Sequence, residues 1–205
     1  MPGLTPHNHS IDIPEFRIFE ERFNFVRDSV LRQNLAITMQ YIAYLLGQHN
    51  TLTGTLKYSV TKDIIVLTGS IVEAISHYWL QELVRNGTLN LDIVCPPTKE
   101  YRSFRPKPIL IDNENNSVYL CHRKEMEIDL CGEVKFKDIL GALKKGNLID
   151  EDLFKELDRL RGWRNKIHLK GLTEADIKKF QKADLSNVFE TSKKLITKAE
   201  NSLGN

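Results

Sequence analysis

The sequence predicts a mainly α-helical protein, a helical bundle with a small β-hairpin insertion, and three observations carry that expectation. Apolar residues recur at helical spacing through most of the chain. A proline-rich segment near the middle carries two short β-favouring runs instead. Late in the chain, a helical pattern ends in an arginine-rich stretch that breaks its own apolar stripe.

Residues Met1–Ile13 hold two prolines among scattered polar groups and read as a flexible N-terminal tail, leaving 14–205 as a single helical domain. Pro14 suits a first helical turn. From there Phe16, Phe19, Phe23, Val26, Val30, Leu35 and Ile37 continue at roughly helical spacing, on through Tyr41 and Leu46. The pattern allows one long helix, or two with a break near Gln33-Asn34. Gly47 to Gly54 reads as a polar turn. A second helix is expected over Val60–Val84, ended by Asn86-Gly87. It is apolar around most of its circumference, which places it at the centre of the bundle. Ser70, Glu73 and His77 share one of its faces. Glu73 and His77 form an i, i+4 pair, either a structural pair or a support behind the arginine-rich helix.

Between residues 91 and 131 the character changes. Pro96-Pro97 and Pro106-Lys107-Pro108 break helices. Pro108–Ile111 and Ser117–Cys121 flank the turn Asp112-Asn113-Glu114-Asn115-Asn116, the pattern of a hairpin, and Met126–Leu130 offers a third short strand. Tyr101, Arg102, Phe104, Arg105 and Lys107 interleave rings with cations, as single-strand nucleic-acid surfaces do and as mixed solvated loops also do. Next come a helix over Lys135–Lys145, a Gly146-Asn147 turn and a strong helix beginning near Asp150, with Gly171 as its C-cap. Thr173-Glu174 opens a short helix. Ser186 caps a last one whose buried face is Val188, Phe189, Leu195 and Ile196.

The chemistry concentrates in Arg159-Leu160-Arg161-Gly162-Trp163-Arg164-Asn165-Lys166-Ile167-His168-Leu169. On a helix at about 100° per residue, Leu153, Leu157, Leu160 and Ile167 make one stripe. Arg164 lands inside that stripe, with Arg161 and His168 on its flank. Charge beside an apolar face is expensive unless an anion arrives to use it, although an arginine can also lay its stem on apolar surface and keep its head wet. Gly162 costs about 1 kcal/mol of helix stability relative to Ala. Close approach of another backbone there would account for it.

Arg-Asn followed shortly by His, late in a helical domain, resembles the HEPN superfamily, whose members carry an arginine, a polar residue and a histidine on one helix. The lead-in from Phe136 and the earlier core helix bearing Glu73 fit the same pattern. The resemblance implies a HEPN-like bundle and a homodimer that pairs two motif helices, so that the face bearing Arg164 would be the subunit interface. It implies metal-independent RNA cleavage with Arg164, Asn165, His168 and Arg161 as catalytic residues and no cofactor. Glu73 and His77 would support them, and Lys166, Lys170, Arg102 and Arg105 would contact RNA. A toxin or defence role with an antitoxin partner follows from the same likeness. The spacing departs from the family's about four to six intervening residues. Arg164 and His168 enclose three, while Arg161 and His168 enclose six but Arg161 precedes Gly162. The site is therefore either a compact variant using both arginines or a catalytically inactive interaction or nucleotide-binding module.

The composition sets bounds. A formal charge of +2 gives no global field to attract nucleic acid, so RNA affinity has to be local. Cys95, Cys121 and Cys131 lack CxxC spacing and read as reduced thiols of a cytoplasmic protein, with a zinc set including His122 disfavoured by the irregular spacing. His7 and His9 belong to the tail. No signal peptide, spanning segment, phosphate loop, HExxH or nucleophile elbow is visible, so no membrane partner is expected.

Overall fold

Two residues, Leu52 and Thr53, separate the first long helix from the second. The computed structural model describes residues 12–90, 98–103, 110–111, 117–118, 121–126, 134–165 and 185–204. In chain order these form α1 (Phe16–Glu21), α2 (Ser29–Thr51), α3 (Gly54–Arg85), β1 (Thr98–Ser103), β2 (Leu110–Ile111), β3 (Ser117–Val118), β4 (Cys121–Met126), α4 (Phe136–Lys145), α5 (Glu151–Asn165) and α6 (Leu185–Leu203). The fold is mainly helical.

The first helical pattern does break, but over residues 22–28 rather than near Gln33-Asn34. The break contains no Gly or Pro to announce it. Asp28 makes it locally, its carboxylate accepting from Val30 N at 2.9 Å and Leu31 N at 3.0 Å as the N-cap of α2. The core makes it globally, since Phe23 and Val26 in the turn are fully buried and the Tyr78 hydroxyl accepts from Arg27 N at 2.8 Å. A helix set by that cap buries Leu35, Ala36, Ile42 and Leu45. Val30, Ile37 and Tyr41, expected on the apolar face, are instead 66%, 56% and 49% exposed, and Tyr41 stacks on Tyr44 along the outer side. The turn expected over Gly47–Gly54 is mostly helix too. Gly54 alone takes a left-handed conformation, φ +60°, that side chains resist, and α3 begins there, six residues before the expected start.

α3 runs 32 residues and buries Ile64, Ile65, Val72, Ile75, Trp79, Leu80 and Leu83. It packs against α2, α4, α5 and α6, so it is the axis around which the other helices are placed. α4 presents Phe136, Ile139, Leu140 and Leu143 inward at helical spacing. It ends at the Gly146-Asn147 turn, where Asn147 holds a φ of 56°. Asp150 then caps α5, accepting from Leu153 N at 2.8 Å. α6 begins at Leu185, so Ser186 lies inside it rather than at its cap, and its buried face includes Val188, Leu195 and Ile196.

The strands form two antiparallel pairs. β1 pairs with β4 from Thr98↔Met126 to Ser103↔Cys121, and β2 pairs with β3 through Leu110↔Val118 and Ile111↔Ser117. Among the described residues no helix is long and apolar enough to cross a membrane.

Candidate functional site at the end of α5

α5 buries Leu153, Leu157 and Leu160 against α3, α4 and α6, so its apolar stripe is core of this same chain. The expectation that this stripe forms a subunit interface is corrected by that burial. Arg164 is the next position along the stripe, and α3 accommodates it in two ways. Opposite its stem stands Gly69, where a Cβ would lie 3.3 Å from Arg164 Cβ and 3.5 Å from Cδ. One helical turn further along α3, the Glu73 carboxylate takes the guanidinium in an ion pair through Nη1. The two side chains are 28% and 23% exposed, so the pair sits at the margin of the core, neither dry nor freely solvated. This is how the chain tolerates a cation on an apolar face: a glycine admits the methylenes and a carboxylate meets the charge.

The close approach expected at Gly162 is therefore at Gly69. Among the described residues, a Cβ at Gly162 meets nothing within 4 Å.

Glu73 and His77 take separate partners rather than each other. His77 Nε2 lies 3.2 Å from the Val134 carbonyl, an acceptor that requires the proton on Nε2. His77 thus ties α3 to the segment leading into α4, while Glu73 ties it to α5. Ser70, on the same face, donates to its own helix at Val66 O, 3.0 Å. Arg161 is held within α5, its Nε donating to Asp158 Oδ1 at 2.7 Å. Arg159 lies over the Trp163 ring, 5.6 Å from its centroid. Asn165 is exposed at the last described position of α5. Lys166, Ile167, His168, Lys170, Gly171 and Thr173-Glu174 lie outside the described residues, as do Arg105 and the tail bearing His7 and His9. Arg102 falls on β1, opposite His122 in the register.

No known family model, curated protein or solved structure matches this chain. The chemical capacity of the site therefore rests on its own geometry. A guanidinium carries five N–H donors in a planar fork, so the carboxylates of Glu73 and Asp158 engage only part of what Arg164 and Arg161 offer. The remainder suits a phosphate or another planar oxyanion. Glu73 and Gly69 hold the stem of Arg164 in place, which lowers the rotamer entropy lost when an anion binds. Sequence reasoning singled out Glu73 but missed Gly69. The only mark Gly69 leaves is a glycine inside an apolar helix, one turn before a carboxylate. Among the described residues no group of three His, Cys, Asp or Glu is placed to hold a metal ion. Cys95 and Cys131 lie outside the described residues, and of Cys121 and His122 only the backbone of β4 is described.

Proposed function

We propose that the chain is a metal-independent endoribonuclease of HEPN type, acting as a cytoplasmic homodimer and serving as a toxin or defence effector with an antitoxin partner. The observation that supports this reading is Arg164. It is a half-buried guanidinium held by Glu73 at the end of α5, immediately ahead of Asn165 and four residues before the sequence reaches His168. In this reading residues 14–205 form one HEPN-like domain, with residues 91–131 as a hairpin insertion carrying Arg102 and Arg105 toward RNA.

RNA supplies its own nucleophile, which is why Arg and His suffice. The ribose 2′-oxygen attacks the adjacent phosphorus as its proton leaves, the bond to the 5′-oxygen breaks, and a proton is delivered to that oxygen. The products are a 2′,3′-cyclic phosphate and a 5′-hydroxyl. His168, of a residue type that titrates near pH 6.5 when unperturbed, exchanges the proton. Arg164 and Arg161 offset the charge that builds on the phosphate oxygens, and Asn165 orients the imidazole or the phosphate. Lys166 and Lys170 add phosphate contacts.

The test is RNA cleavage in the presence of a chelator by wild type, Arg164→Ala and His168→Ala, with folding and oligomeric state measured beside it. Loss in both variants is expected. Cleavage surviving either change overturns the assignment.

One observation favours a second reading. Both arginines already hold carboxylates of their own chain, as structural cations do. A catalytically inactive helical interaction or nucleotide-binding module would show no cleavage by wild type. It would instead gain thermal stability with a mononucleotide.

A further inference from the structure

A cavity of about 480 Å³ opens between α1, α2, α3 and α6, away from the face of α3 that meets Arg164. Its walls are apolar, built by Phe19, Met39, Leu46, Ile71, Phe189 and Ile196. Two hydroxyls also line it, but each is spent on its own helix. Thr68 Oγ1 donates to Ile64 O at 2.7 Å and Ser192 Oγ to Val188 O at 2.8 Å, so neither offers its proton to a guest. Three charged residues complete the lining, the cations Arg22 and Lys193 and the acid Glu190. Arg22 also faces Glu200, at 3.6 Å and with both side chains about two-fifths exposed, a separation too long for a hydrogen bond. Exposed pairs of this kind contribute little, so an incoming carboxylate can displace it.

From this arrangement we infer that the cavity binds a free amphipathic monocarboxylic acid, its chain among the apolar walls and its carboxylate at Arg22 and Lys193. The volume fits. A dry cavity of about 150 Å³ holds benzene, and this one is roughly three times larger, room for a chain of about ten carbons. It also lies within the range of about 300–1,000 Å³ typical of small-molecule sites. Met39 supplies a flexible wall that adapts to a chain of uncertain shape. The inference is independent of the nuclease reading and shares no residue with it.

Calorimetric titration of the full chain with decanoate, 1-decanol and butyrate tests it. Decanoate should bind with one-to-one stoichiometry and a negative heat-capacity change, the mark of apolar burial. Decanol should bind at least about tenfold more weakly for want of a charge, and butyrate should not bind for want of a chain. Ala43→Trp, at a lining position on α2, should abolish decanoate binding by filling the space. Lys193→Glu is on the exposed surface and leaves the core alone. It should weaken decanoate at least about tenfold and leave decanol unchanged. The proposal is overturned if decanoate shows no saturable binding, if decanol binds as well as decanoate, or if Lys193→Glu leaves decanoate affinity unchanged.

Discussion

Replacing Gly69 and Gly162 with alanine should move stability in opposite directions, although both residues sit inside helices. Alanine is favoured over glycine in a helix interior by up to about 1 kcal/mol. At Gly162 none of the described residues lies within 4 Å of the new methyl, so that gain should appear nearly whole. For a chain of this size about 1 kcal/mol raises Tm by roughly 2–4 °C. At Gly69 the methyl arrives 3.3 Å from Arg164 Cβ, an atom anchored to the α5 backbone and unable to swing away. Forcing an extra methyl into a filled contact costs about 1–3 kcal/mol, which cancels the propensity gain or exceeds it. Gly69→Ala should therefore leave Tm unchanged or lower it, and Gly69→Val should lower it further. Urea unfolding with matched m-values, or calorimetry, measures both. If Gly69→Ala stabilises as much as Gly162→Ala, the close approach of α3 and α5 is refuted. If Gly162→Ala destabilises, that surface of α5 is covered by something other than the described residues.

Three further outcomes follow from the same geometry. Glu73→Gln should cost about 1–2 kcal/mol by leaving a half-buried guanidinium poorly paired, and in a double-mutant cycle Arg164→Ala should absorb most of that loss; additive effects would mean that the pair contributes nothing to stability. Tyr78→Phe should cost about 1 kcal/mol by removing the acceptor for Arg27 N, and amide exchange should quicken in the turn over residues 22–28 while α3 stays protected. The Asp150 carboxyl is held below its ordinary value of 3.8 by the hydrogen bond from Leu153 N, with Lys198 contributing. A lowered carboxyl stabilises the fold above its unfolded value and loses that contribution as pH falls through the folded one. Asp150→Ala should therefore unfold at a lower temperature than wild type at pH 7, the gap closing below about pH 4; a gap that persists into strong acid would remove the charge from the cap.

The sequence announced its elements wherever the local signal and the tertiary demand agreed. The amphipathic pattern of Phe136–Lys145, the Gly146-Asn147 turn and the α5 stripe of Leu153, Leu157 and Leu160 all lie where periodicity puts them. It misled where burial overrode propensity. Residues 22–28 carry no Gly or Pro, and what bends them, beside the Asp28 cap, is Phe23 and Val26 entering the core with Tyr78 catching the backbone. Gly47 looked like a breaker, yet the helix around it continues to Thr51 because Leu45 and Leu46 keep their contacts with the core. At the candidate site, Arg164 and Glu73 stood out individually as charges in apolar helices. Their pairing spans 91 positions of chain, and no spacing rule reaches that far. The i, i+4 rule drew attention to His77 as Glu73's neighbour, when each had a better partner on another element.

Because one 32-residue rod touches every other long helix, no excised half of this chain keeps a complete set of neighbours for its apolar side chains. Fragments cut at residue 53 or 90 should stay unstructured when separate and regain order only when mixed. In the intact chain, the amides around Val72 and Ile75 should be the last to take up deuterium, exchanging only when the whole molecule opens.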